Sequence, residues 1–301
     1  MKTILGLTLG AALVMASRGA AQDVPTLVAK LLSKDVDEAE GAREDLLKLG
    51  PPALAPLREA ERAAQDPKFK KTLAGIADRL EVRQAAPGLA KGWGDRWYSV
   101  FQESLHVGWV ELKMEEKDGK LLLTGEIRAQ MAKETVFQVK STLRCEPDEY
   151  LTASSISLDL ATPENTVAAT AQLKEGRLVV KAGGNVTAHK VRPNTVVDLA
   201  VFPLVTILPR TEGYEIDVLE LIKPKLPEAA VLKFDREESI EFGGRKVKAR
   251  RFMLASDGKE RFYWVDATGR LLRVQFSTDD QKTLELILTD EARAKDIDTK
   301  D

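Results

Sequence analysis

Near Trp93 the apolar residues of this 301-residue chain stop recurring every three or four positions and begin to alternate. A chain with that switch of period builds helices first and a sheet second. Val24, Leu27, Val28, Leu31 and Leu32 make one apolar stripe, and Ala39, Ala42, Leu46, Leu47 and Leu49 a second, ended by Gly50-Pro51. Pro52 opens a third helix carrying Leu54, Leu57 and Ala60. Asp66 is placed to cap a fourth, with Pro67 in its first turn and Phe69, Leu73, Ile76, Ala77 and Leu80 inside. Short antiparallel helical hairpins over residues 22–85 follow.

Small and turn-forming residues, Ala85-Ala86-Pro87-Gly88 and Lys91-Gly92-Trp93-Gly94, read as a linker over 86–96. Beyond it Gly108, Val110, Leu112 and Met114 alternate with Trp109, Glu111, Lys113 and Glu115. Asp118-Gly119 turns the chain back into Leu121, Leu123, Gly125, Ile127, Ala129 and Met131, and Phe137, Val139, Leu143 and Cys145 repeat the pattern. Each strand thus has one wet and one buried face. Weaker strands are expected at Thr152–Leu160, Thr166–Lys174, Arg177–Ala182 and Asn185–Val191. Val196 to Leu208 is apolar nearly all round and predicts a short buried helix, kinked at Pro203. Strands resume at Tyr214–Leu221, Ala230–Phe234, Ser239–Phe242, Lys246–Ala255, Arg261–Val265, Leu271–Ser277 and Thr283–Leu288. So many strands must curl. The expected class is α+β: helical hairpins, then a large curved antiparallel sheet or half-barrel over 97–290 with a short apolar helix. A charged tail over 291–301 is expected to fray.

The first 21 residues have the layout of a secretory signal: Lys2, a short apolar run from Ile4 to Ala16, and Gly19-Ala20-Ala21 at the cut. Cleavage after Ala21 predicts an extracytoplasmic protein, periplasmic or secreted, with no integral span left. Without Lys2 and Arg18, 43 Lys and Arg face 47 Asp and Glu, a net charge of −4, so no nucleic-acid partner is expected. Cys145 is the single cysteine and, lying among apolar neighbours, is read as buried. His106 and His189 are read as exposed at strand ends, and no metal site or cofactor is expected. No nucleophile elbow, phosphate loop or zinc-protease motif occurs, so no catalytic residue is assigned and the chain is read as non-enzymatic. Glu237-Glu238 beside Asp235 reads as a solvated acidic turn.

Two groups of residues are candidates for binding. If the apolar helix plugs a half-barrel, Val110, Leu112, Met114, Leu123, Ile127, Met131, Phe137, Val139, Phe202 and Ile207 line the space beneath it, where a lipid-sized ligand fits. The plainer alternative is that they fill a core. Lys246, Lys248 and Arg250 point one way on a strand, as an anion-binding ladder or as like charges guarding a sheet edge. Trp93 and Trp97 are placed to join the helical part to the sheet.

The run Leu49-Gly50-Pro51-Pro52-Ala53-Leu54-Ala55-Pro56-Leu57 resembles HEAT-like helical repeats, which implies a scaffold or protein contact. Three features of Trp97 to Asp290 resemble bacterial cell-envelope half-barrels of unassigned function, in the wider class of the LolA-type lipoprotein carriers. These are Val107-Gly108-Trp109, the helix before Glu212-Gly213-Tyr214-Glu215-Ile216-Asp217-Val218, and the run from Arg261-Phe262-Tyr263-Trp264 to Val274. That resemblance implies a curved sheet with an apolar concavity, located in the periplasm. The leading expectation is therefore a non-enzymatic protein that binds an apolar or lipid-like ligand or serves as an envelope scaffold. The alternatives are a protein-interaction scaffold acting through the helices, with an envelope protein as partner, and a carboxylate-based hydrolase in the β-domain.

Overall fold

The computed structural model describes residues 24–132, 135–161, 166–174, 176–182, 184–220, 227–277 and 282–297. The leader and its cut after Ala21 lie outside them. The chain divides into two units, Met1–Gln84 and Ala85–Asp301.

In the first unit a helical segment over 24–30 precedes α1 (Val36–Leu49), α2 (Leu54–Ala63) and α3 (Pro67–Ala85). Asp35 caps α1 by accepting from the Asp37 N–H at 3.0 Å, and Gly50 at φ 69° ends it where Pro51 cannot continue. Asp66 caps α3 through the Phe69 N–H at 2.8 Å, as expected from the sequence. Leu46, Leu57, Leu73, Ile76 and Leu80 close the core. At its margin Arg58 on α2 donates to Asp78 at 2.6 Å and Glu81 at 2.7 Å on α3, and to Glu61 at 2.8 Å. Burial alone would lower the guanidinium's pKa, but the three carboxylates outweigh it and the net shift is upward.

The second unit begins with α4 (Leu89–Trp93) and β1 (Asp95–Gln102). A meander follows: β2 (Leu105–Lys117), β3 (Lys120–Ala132), β4 (Thr135–Cys145), β5 (Ala153–Ala161), β6 (Thr166–Lys174), β7 (Arg177–Ala182) and β8 (Asn185–Lys190). The short β9 (Thr195–Val197) leads into α5 (Asp198–Ile207). A second meander runs through β10 (Tyr214–Leu219), β11 (Glu228–Phe242), β12 (Arg245–Ser256), β13 (Lys259–Asp266), β14 (Leu271–Ser277) and β15 (Thr283–Thr289), and α6 (Glu291–Lys295) ends it. All fifteen strands join one sheet in the order β8-β7-β6-β5-β4-β3-β2-β1-β15-β14-β13-β12-β11-β10-β9. Pairing is antiparallel except between β9 and β10. The sheet curls enough for Tyr214 on β10 to donate to the Glu149 carbonyl in the β4–β5 connection, where the Tyr150 and Tyr214 rings are 5.9 Å apart.

Several expectations are corrected. Residues 86–96, read as linker, hold a 3₁₀ turn, α4 and the start of β1, because Leu89 and Trp93 are four apart and both find burial. Ala230–Phe234 and Ser239–Phe242 belong to one strand, β11, with a bulge between Phe234 and Arg236. The supposed acidic turn is therefore mid-strand, and Glu238 accepts from the Trp264 indole at 2.6 Å. The tail does not fray over 291–295: Asp290 caps α6 through the Arg293 N–H at 2.9 Å, and Ala294 is fully buried. His106 is buried within β2, bonded to the Asp296 carbonyl at 2.8 Å and the Gly108 carbonyl at 2.9 Å. Cys145 is buried, which pushes its thiol up to about 12.

Candidate functional site

The face of the sheet that carries α5, called here the inner face, is set by register. Val110 pairs with Ile127 and Ile127 with Val139; Met114 pairs with Leu123 and Leu123 with Leu143. Directly paired residues share a face, so the strict alternation of β2, β3 and β4 brings these side chains together. Phe137 joins them opposite Ala129. Met131 is a residue of β3 whose side chain lies outside the described part.

Helix α5 lies on this face. A Cβ at Gly125 would stand 3.0 Å from the Ser141 hydroxyl and 3.1 Å from Leu199, so glycine there lets the helix approach β3 without displacing either side chain. At its far end the Thr206 carbonyl approaches Gly269. Between them Phe202 meets Tyr98 edge-on at 6.4 Å and Tyr263 at 6.2 Å. Ala200, Val201, Leu204 and Val205 are fully buried. Each of the larger ones contributes about 1.5–3 kcal/mol, which offsets the roughly 3 kcal/mol cost of Pro203 in a helix interior. Burial pushes the phenols of Tyr98 and Tyr263 up to about 12, against the opposing charges of Arg96 and Arg261. Tyr98 donates to the Leu271 carbonyl at 3.2 Å.

Of the expected lining, Val110, Leu112, Met114, Leu123 and Val139 are buried, while Ile127, Phe137, Phe202 and Ile207 are half-buried. The apolar face runs on past Gly125 into β5 to β7: Leu160 pairs with Val139, Leu158 with Ser141, and Val180 with Ala171. Leu158, Leu160 and Val180 are also half-buried. A partly covered apolar lane thus extends from the middle of the sheet toward β7.

The basic ladder is divided. Lys246, Lys248 and Arg250 pair with Glu241, Ser239 and Glu237 of β11, at alternate positions along β12. Lys246 and Lys248 are exposed, but Arg250 is half-buried and donates to the Leu208 carbonyl, just past α5, at 3.0 Å. Its burial, with the nearby Arg210 charge, lowers its pKa. The edge-strand reading is corrected in part: β12 pairs with β13 over Ala249–Ser256, and Arg245–Lys248 pair with β11 alone.

Opposite α5, on the outer face, α6 and strands β1 to β3 bound a groove of about 690 Å³. Trp97 and Trp109 form its floor with ring centroids 5.3 Å apart, and the Lys295 ammonium lies 4.6 and 5.6 Å above them. Glu291 holds that ammonium at 2.6 Å, and Glu111 and Glu126 stand directly opposite one another on the wall. Trp97, expected to join the helical part to the sheet, has these partners within the second unit. Sequence reading missed the groove because α6 is brought to β1–β3 only by the fold. It also missed β1, whose Tyr98 and Arg96 face inward; the aromatic run from Trp97 to Phe101 was the available signal.

Among the described residues no group of three or more His, Cys, Asp or Glu is placed to hold a metal ion, and no helix is long and apolar enough to cross a membrane. A family model described as a domain of unknown function, DUF6134, matches residues 98–289. No curated protein matches. Among solved structures, the chain is similar to a β-barrel-like protein of the DUF1849 family from Brucella abortus. That match has 11% identity and a TM-score of 0.46, covering 65% of this chain and 96% of that one. A DUF1089 family protein from Pseudomonas aeruginosa matches with 12% identity and a TM-score of 0.36, covering 54% and 87%. The hypothetical lipoprotein YmcC from Escherichia coli matches with 8% identity and a TM-score of 0.25, covering 65% and 86%. With its family model spanning every strand from β2 to β15, the chain belongs to the DUF6134 family of domains of unknown function.

Proposed function

We propose that this chain is a non-enzymatic extracytoplasmic protein that binds an apolar, lipid-like ligand against the inner face of its sheet. The observation that carries the reading is the apolar lane beyond α5, where Ile127, Phe137, Leu158, Leu160 and Val180 share one face and are only half-covered. Pockets for such ligands are mostly apolar with few polar groups, and this face has that composition. The leader-like first 21 residues support export. Native mass spectrometry on chain purified from the periplasm without detergent tests it. A bound lipid-sized mass, released by organic solvent and diminished by Leu158→Asp, is expected; a bare chain mass under gentle conditions counts against it.

A second reading, a protein-interaction scaffold acting through a HEAT-like helical unit, draws on the exposure of Leu32 (62%) and Val36 (73%). Changing both to serine should then abolish capture of an envelope partner without altering ligand binding.

A further inference from the structure

Arg96 is 7% exposed and faces inward, paired with Leu112. Its Nε donates to the Trp93 carbonyl at 3.2 Å, and its guanidinium carbon lies 3.8 Å over the Trp93 ring. Its Nη1 and the Trp93 Nε1 are both buried without an acceptor, and the neutral Tyr98 phenol lies beside the guanidinium. No carboxylate pairs with it among the described residues. Arg144 and Arg273 also leave a buried Nε without an acceptor, but each holds a carboxylate, Asp118 and Glu285, as Arg58 holds Asp78 and Arg261 holds Glu220. A guanidinium withdrawn from water without a counter-charge is costly, and buried donors normally have partners. An arginine fork suits a planar or tetrahedral oxyanion, for which the indole N–H supplies one more donor.

We propose that Arg96, with Trp93 beside it, is an anion anchor that receives the oxyanion head group, carboxylate or phosphate, of a single-chain amphiphile lying along the inner apolar face. The assignment rests on the apolar-ligand reading and names the ligand's charged end. Around the anchor the inward neighbours Leu112 and Val110 are apolar, and the Tyr98 hydroxyl is engaged with the Leu271 carbonyl.

The test is calorimetric titration of the purified chain with dodecanoate, dodecyl phosphate and dodecanol. At least one anion should bind about tenfold or more tightly than the alcohol, as expected for a charge-assisted contact. The ratio of the two anions then distinguishes a carboxylate from a phosphate source. Arg96→Gln should erase the preference while near-UV circular dichroism is unchanged. If that variant does not fold, Trp93→Phe serves, because it removes one donor and is expected to weaken the anions about threefold and leave dodecanol alone. Equal binding of all three ligands overturns the anchor and leaves the apolar-ligand reading standing, with water as the partner of these donors. A preference that survives Arg96→Gln also overturns it. No binding of any of the three overturns both readings.

Discussion

A Cβ at position 108 would stand 2.1 Å from the Arg128 carbonyl oxygen and 2.7 Å from the Ala129 Cα. Both are backbone atoms, so nothing yields unless the β2–β3 ladder moves. Gly108→Ala should cost about 3 kcal/mol, read as a lower urea midpoint at unchanged slope. Asp266 is the opposite kind of residue, fixed by what it accepts. Its carboxylate takes the Thr268 hydroxyl at 2.7 Å, the Thr268 N–H at 2.8 Å, the Arg270 N–H at 3.0 Å and the Arg270 Nε at 2.9 Å. Burial alone would raise its pKa, but these donors outweigh burial and lower it below the usual 3.8. The stabilisation is therefore complete above about pH 4 and is lost as pH falls through the depressed folded value. Asp266→Asn should destabilise the neutral protein by about 2 kcal/mol. Urea midpoints of the two proteins should converge in strong acid; a constant gap at every pH would refute the linkage.

At the scale of elements, α5 and α6 are two covers of different kind. Phe202→Ala removes the ring wedged between Tyr98 and Tyr263, and because that ring is only half-buried the cost should be about 2 kcal/mol, below the range for full burial. Ending the chain at Asp290 removes α6, uncovers Trp97 and Trp109 and takes the Asp296 carbonyl from buried His106, so tryptophan emission should shift to the red and the urea midpoint should fall. An unshifted spectrum would mean the indoles are not covered by α6. Helix α5 was legible in the sequence because its residues are apolar on every side, and β2 to β4 because their alternation is unbroken and Asp118-Gly119 fixes the register. β1 was not, since Arg96 inside and Trp97 outside invert the usual polarity. β11 was broken in two by Glu237 and Glu238, whose partners Arg210 and Trp264 come from elsewhere in the chain. The unpartnered donors of Arg96 and Trp93 were invisible for the same reason: a charge in sequence reads as solvated until a fold encloses it.

For the whole second unit, β1 to β8 and β10 to β15 are chains of neighbouring hairpins, and one distant pairing, β1 with β15, joins them. Trp97 sits opposite Thr289 and Gln102 opposite Leu284, so the first and last strands meet in the middle of the sheet. A chain ended after Ser277 should keep both meanders but leave β1 with a bare side, and is expected to form aggregates that bind an amyloid dye; a soluble monomer with native-like circular dichroism would refute this. The same arrangement imposes an order in time. Synthesis delivers β1 well before β15, so for the whole interval the strand that carries Arg96 and Tyr98 has a row of open amides with no native partner to take them. Local hairpins form in microseconds, whereas closing that seam waits until β15 has been made. The central strand of the finished sheet is thus the most vulnerable one in the nascent protein, and the stage at which this fold most needs a holding chaperone is fixed by its strand order.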